Sequence, residues 1–224
     1  MKYRLLSFAL ILLFLVQGAF AYNIVTFAPT VYQSNTAAMD SVLGVTDYII
    51  EDFEDVNLVD GLTIEWDNPD FGPVSVLPKV YVPAYANNYW DGSTGVLNHT
   101  TNIFTTSPAF SQITTFHIAN GAKSFGIGLA NFQDLTDHKL LVNGVQVAII
   151  PDLEHFQFGV PSRNLYVRID AQPGETIYSV SIDENFQNKD GMVFDHVAFN
   201  AVPELNSILL VILALGLLKL KLKK

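Results

Sequence analysis

The chain of 224 residues contains no cysteine. Disulfides, thiolate nucleophiles and cysteine-ligated zinc or iron–sulfur centres are therefore excluded, while the redox compartment stays open, because a secreted chain need not carry cystine. Charge is sparse and one-sided: 15% of residues are charged, 12 basic against 22 acidic, for a formal net charge of −10. Phosphate recognition needs a basic surface, so this balance argues against nucleic acid as a partner. No P-loop, dinucleotide fingerprint, G-x-S-x-G elbow, H-E-x-x-H pair or EF-hand loop occurs. The five histidines, His99, His117, His138, His155 and His196, are scattered. With no catalytic arrangement in view, the expectation is a protein that is not an enzyme, although paired carboxylates such as Asp183 and Glu184 leave glycosidase chemistry open by residue type. Half of the residues are hydrophobic, which rules out a disordered polyelectrolyte.

Long apolar runs are missing from the middle of the chain and occupy its two ends. Residues 1–21 read as a signal peptide: Lys2 and Arg4, the apolar run Leu5–Val16, then Ala19-Phe20-Ala21 with small residues at the positions a signal peptidase requires. The C-terminal segment, residues 202–224, has three parts: Val202-Pro203-Glu204-Leu205, the run Ile208–Leu218, and lysines at 219, 221, 223 and 224. Trailing lysines stay in the cytoplasm and put the body outside the inner membrane. Eleven helical residues rise about 16 Å against a hydrocarbon core of about 30 Å. A run this short fits a transient, processed membrane helix better than a permanent anchor.

This tail resembles the PEP-CTERM sorting signal of exopolysaccharide-producing Gram-negative bacteria, with Val202, Pro203 and Glu204 standing at the motif. Leu205 replaces the second proline, and interleaved lysines replace an arginine cluster. The resemblance implies recognition and cutting near the motif by an exosortase-type membrane protease, followed by placement at the cell surface or in the extracellular matrix.

Between the ends, residues 22–201 form one expected domain. Six basic residues (Lys79, Lys123, Lys139, Arg163, Arg168 and Lys189) face 21 carboxylates, a net of −15. Its periodicity is two. Strands are expected at Leu62–Trp66, Ser75–Val82, Ile113–Ala119, Ser124–Phe132, His138–Ile149, Asn164–Asp170, Ile177–Asp183 and Met192–Phe199, all rich in β-branched and aromatic residues. Asn143-Gly144 predicts a type I′ hairpin, and Pro173-Gly174 and Asp190-Gly191 predict further turns. The one helix expected runs over Asn35–Leu43. Many short strands with little helix predict an all-β fold, an antiparallel β-sandwich, flanked by the signal helix and the C-terminal hydrophobic helix.

The body is also similar to the jelly-roll or galactose-binding-like modules that precede such tails, through Glu51-Asp52-Phe53-Glu54, Lys123–Leu129 and the closing stretch Asp190–Phe199. That resemblance implies a structural calcium where first and last strands pair. Glu51, Glu54 and Asp195 are the candidate ligands, since calcium gathers six to eight oxygens. A second candidate site is aromatic. Trp66, Tyr85, Tyr89 and Trp90 lie among amides and carboxylates, a composition suited to stacking and hydrogen-bonding sugar rings. The expectation is an exported, non-enzymatic matrix protein, with exopolysaccharide and the exosortase-type protease as partners. The alternative is a carbohydrate-binding module or a carbohydrate-active enzyme.

Overall fold

The computed structural model describes residues 22–29, 36–54, 57–68, 72–74, 97–99, 110–130, 138–157, 163–186 and 192–202. The described elements are β1 (Tyr22–Phe27), α1 (Thr36–Leu43), β2 (Ile49–Glu51), β3 (Leu62–Asn68), β4 (Gly72–Val74), β5 (Leu97–His99), β6 (Phe110–Ala130), β7 (Lys139–Val142), β8 (Val145–Ile149), a 3₁₀ turn (Ile150–Asp152), β9 (Arg163–Ala171), β10 (Ile177–Phe186) and β11 (Met192–Ala201). The chain is all-β, and every described strand pair is antiparallel. Residues 1–21 and 203–224, the strand expected at Ser75–Val82 and the turn at Asp190-Gly191 lie outside the described residues.

Long strand β6 organises the rest. Its first half pairs with β3 and β10, and its second half with β9 and β11. The corner lies at Gly121, whose φ of +73° is open to glycine and where a Cβ would stand 2.3 Å from the Thr176 methyl carbon. Across the corner the register with β10 jumps from Ile177↔Ala122 to Ser179↔His117. Two sets of strands therefore diverge from one strand: β8-β7-β10-β6-β3-β4 on one side, and β1-β9-β6-β11 with β2 and β5 on the other.

The main core draws side chains from both sets. Phe116 and Ile118 come from the first half of β6; Phe125, Ile127 and Leu129 come from the second. Phe116 meets Phe125 with ring centroids 5.9 Å apart and Phe194 of β11 at 5.4 Å, edge-on. Alternation explains the choice of residues: Phe116 and Ile118 turn inward while Thr115 and His117 stay partly exposed.

A second, smaller core lies on another face of β9 and β11. Met39 and Leu43 of α1 pack with Val45, Tyr166 and Ala198. Eight residues make a helix too short to stand in water, so this packing is what holds it. Its C-terminus is a Schellman motif: Val45 N–H donates to the Asp40 carbonyl (2.8 Å), Gly44 N–H donates to the Ser41 carbonyl (3.3 Å), and Gly44 has φ +71°. The Arg168 guanidinium takes the Leu43 carbonyl at 2.6 Å and so caps the same end.

Candidate functional site

Among the described residues, a group of buried polar side chains sits where α1 meets the sheet. It arises from an irregularity in β11. Against β6, Asp195 pairs with Gly128 and Ala198 with Gly126, so β11 advances three residues while β6 advances two. The extra residue is a β-bulge, and His196 takes it up with φ +49°. The bulge resets the alternation, so that Phe194 and Val197 both join the main core.

His196 is fully buried, and its Nε2–H donates to Asp40 Oδ1 on α1 at 2.7 Å. Its Nδ1 is buried without a hydrogen-bond partner among the described residues. The neighbouring Asp195, also fully buried, accepts the His196 backbone N–H on Oδ1 at 2.7 Å. Tyr166 of β9 donates its hydroxyl to the His196 carbonyl at 3.1 Å. Burial first, then the Asp40 and Asp195 carboxylates, pushes the Tyr166 phenol well above its ordinary value, so it remains a donor. Room for this ring comes from Gly126, where a Cβ would stand 2.5 Å from the Tyr166 hydroxyl oxygen. The cluster fastens α1 to the sheet. The Tyr166 hydroxyl is spent on a backbone carbonyl, and the His196–Asp40 pair is almost wholly enclosed (side chains 0% and 16% exposed).

Each carboxylate named as a calcium candidate has its own set of neighbours. Glu51 is buried and accepts the N–H groups of Phe53 (2.7 Å) and Val59 (2.8 Å), one on each oxygen. It closes the loop between β2 and β3, and its backbone pairs opposite Val197 of the main core. Asp195 instead belongs to the surroundings of Tyr166, in the smaller core. Glu54 is exposed, and its N–H donates to Asp52 Oδ1 at 3.0 Å. Among the described residues, no three histidine, aspartate or glutamate side chains gather as a metal site. β2 is indeed the neighbour of β11, whereas the first strand, β1, lies beside β9.

Of the aromatic candidates, Trp66 is in β3, paired with Thr114 of β6 and Val74 of β4. Tyr85, Tyr89 and Trp90 lie outside the described residues, as do Pro203 and Glu204 of the sorting motif. Val202 is described: its N–H donates to the Gly121 carbonyl at 2.9 Å, which ties the end of β11 to the β6 corner.

Histidines far apart in sequence acquire acidic neighbours in the fold. His117 pairs with Glu65 at 2.9 Å on an exposed face. His155 accepts or donates to Thr26 Oγ1 at 3.1 Å through Nδ1, and its Nε2 is 3.7 Å from Glu154, beyond hydrogen-bond reach. The Asp40–His196 pair spans 156 positions, and sequence spacing alone carried no sign of it.

No protein-family model, curated protein or solved structure matches this chain.

Proposed function

We propose that the chain is an exported, non-enzymatic β-sandwich of the jelly-roll or galactose-binding-like kind. An N-terminal signal delivers it, an exosortase-type protease handles its C-terminus, and it works at the cell surface or in an exopolysaccharide matrix. The observation that carries this reading is the order of the last 23 residues: Val202-Pro203-Glu204, the run Ile208–Leu218 and the spaced lysines.

The body supports it. β1 begins at Tyr22, directly after the expected signal-peptidase site, and β11 ends at Ala201. Cuts after Ala21 and near Pro203–Glu204 would leave every described strand whole. Two strand sets diverging from β6 around one core agree with a sandwich. A net charge of −15 over the body suits contact with hydrated polymer and keeps the released protein soluble.

Replacing both Pro203 and Glu204 by alanine tests the reading. The variant should accumulate at full length in the inner membrane, while the parent chain leaves it. An unchanged distribution between membrane and surface fractions would overturn the proposal.

One observation favours the glycan-binding alternative. Tyr178 is 57% exposed beside the β6 corner, a tyrosine ring open to stacking by a sugar. If that reading is right, Tyr178→Ala weakens retention on the cell's own polysaccharide. Undiminished retention of both Tyr178→Ala and Trp90→Ala would remove it.

A further inference from the structure

Asn143 and Gly144 close the β7–β8 hairpin with φ +51° and +77°, the signs a type I′ turn needs. Asn143 also ties three strands together. Its Nδ2 donates to the Tyr22 hydroxyl (2.9 Å) and to the Thr176 carbonyl (2.8 Å). Its Oδ1 accepts the backbone N–H groups of Tyr178 (2.7 Å) and Ser179 (3.1 Å), and its own N–H donates to the Ser179 carbonyl (2.9 Å). Both donors and both lone pairs of the side-chain amide are used, although the residue is exposed.

An asparagine followed by glycine is chemically vulnerable. The glycine nitrogen attacks the asparagine Cγ, a new N–Cγ bond forms and the Cγ–Nδ2 bond breaks. Ammonia leaves with the proton from the glycine nitrogen. Water then opens the five-membered imide at either carbonyl, to give aspartate or isoaspartate. Water is the one co-reactant. Gly144 adds no steric protection, since nothing lies within 4 Å of where its Cβ would stand.

We propose that Asn143 is a site of hydrolytic deamidation whose reaction the fold holds off. Cγ reaches the Gly144 nitrogen only after the amide releases Tyr22, Thr176, Tyr178 and Ser179. The modification is also self-sustaining. An aspartate carboxylate has no N–H to give the Thr176 carbonyl, and isoaspartate adds a methylene to the main chain of the turn. Once formed, the product keeps the junction of β1, the hairpin and β10 loosened.

The test is to hold the whole chain at mildly alkaline pH, in native buffer and in unfolding urea, and to follow the peptide containing Asn143 by mass spectrometry. Deamidation in native buffer should be slower than in urea by more than about tenfold, because the reaction waits on local opening. Tyr22→Phe removes one acceptor and keeps the ring; it should speed the native reaction and leave the rate in urea unchanged. Equal rates in the two conditions, or a native rate that Tyr22→Phe does not alter, would overturn the proposal.

Discussion

The main core and the layer beneath α1 share strands β9 and β11 but are made of different material. The main core is phenylalanine, leucine, isoleucine and valine, with the Phe116 and Phe194 rings meeting edge-on. Beneath α1, a few apolar side chains surround Asp40, Tyr166, Asp195 and His196, which are joined by hydrogen bonds. The first is stabilised by apolar area removed from water, which tolerates exchange of one hydrocarbon for another. The second depends on pairing, because a buried polar group without a partner costs more than a paired one contributes. A helix of eight residues adds little of its own, so it is held by the packing of Met39 and Leu43 together with these bonds.

The contrast can be broken at four points. The largest effect is expected in the main core. Phe116→Ala removes a ring that touches both halves of β6 and β11, and should cost about 3–5 kcal/mol in urea unfolding. Next is Gly126→Ala, whose new Cβ falls 2.5 Å from the Tyr166 hydroxyl oxygen. Overpacking of this kind costs roughly 1–3 kcal/mol. Adding Tyr166→Phe should recover part of the loss, so that the two substitutions are non-additive; strict additivity would show that the ring does not lie where it is drawn.

Asp40→Ala comes third. It leaves both ring nitrogens of buried His196 without a partner and should cost about 1–3 kcal/mol. Amide exchange should quicken in α1 before it does in β6. The smallest effect is a dependence on alkali. Tyr166 has a folded pKa raised above the ordinary 10.0, so above that pH the unfolded chain gives up a phenolic proton that the native state keeps. Stability contributed by this group is complete below pH 10 and declines as the pH rises beyond it. Tyr166→Phe should flatten that decline, as read from urea midpoints at a series of alkaline pH values.

Much of the sheet is legible from period-two alternation. β3, β7, β8, β9, β10 and β11 fall on segments where apolar residues alternate with polar ones, and Asn143-Gly144 marks its hairpin outright. β6 is different. Asn120-Gly121 has the chemistry of a turn, and two strands are the natural reading, but the chain bends there and continues as a single strand. β1, β2, β4 and β5 fall outside the expected strands. β1 starts just past the expected signal-peptidase site, and the other three have only three residues each. The polar layer was illegible for a plainer reason. Asp40 gives no hint that its partner is His196, and Gly126 gives none that its missing side chain admits Tyr166. Such facts belong to strand register and the bulge, which local patterning does not encode. Glu51 carries a role that its place in a run of carboxylates does not announce: it binds two amides of its own loop.

The same contrast bears on the ends of the chain. Val202, the last described residue, is fixed to the β6 corner through its N–H bond to the Gly121 carbonyl. The proposed function treats the apolar ends as an address removed from the finished protein. The intact mass of the protein recovered from the surface or matrix of the cells that make it tests this most directly. The account predicts a chain beginning at Tyr22 and ending near Pro203–Glu204. A mass that retains Lys224, found in the membrane fraction, would contradict it.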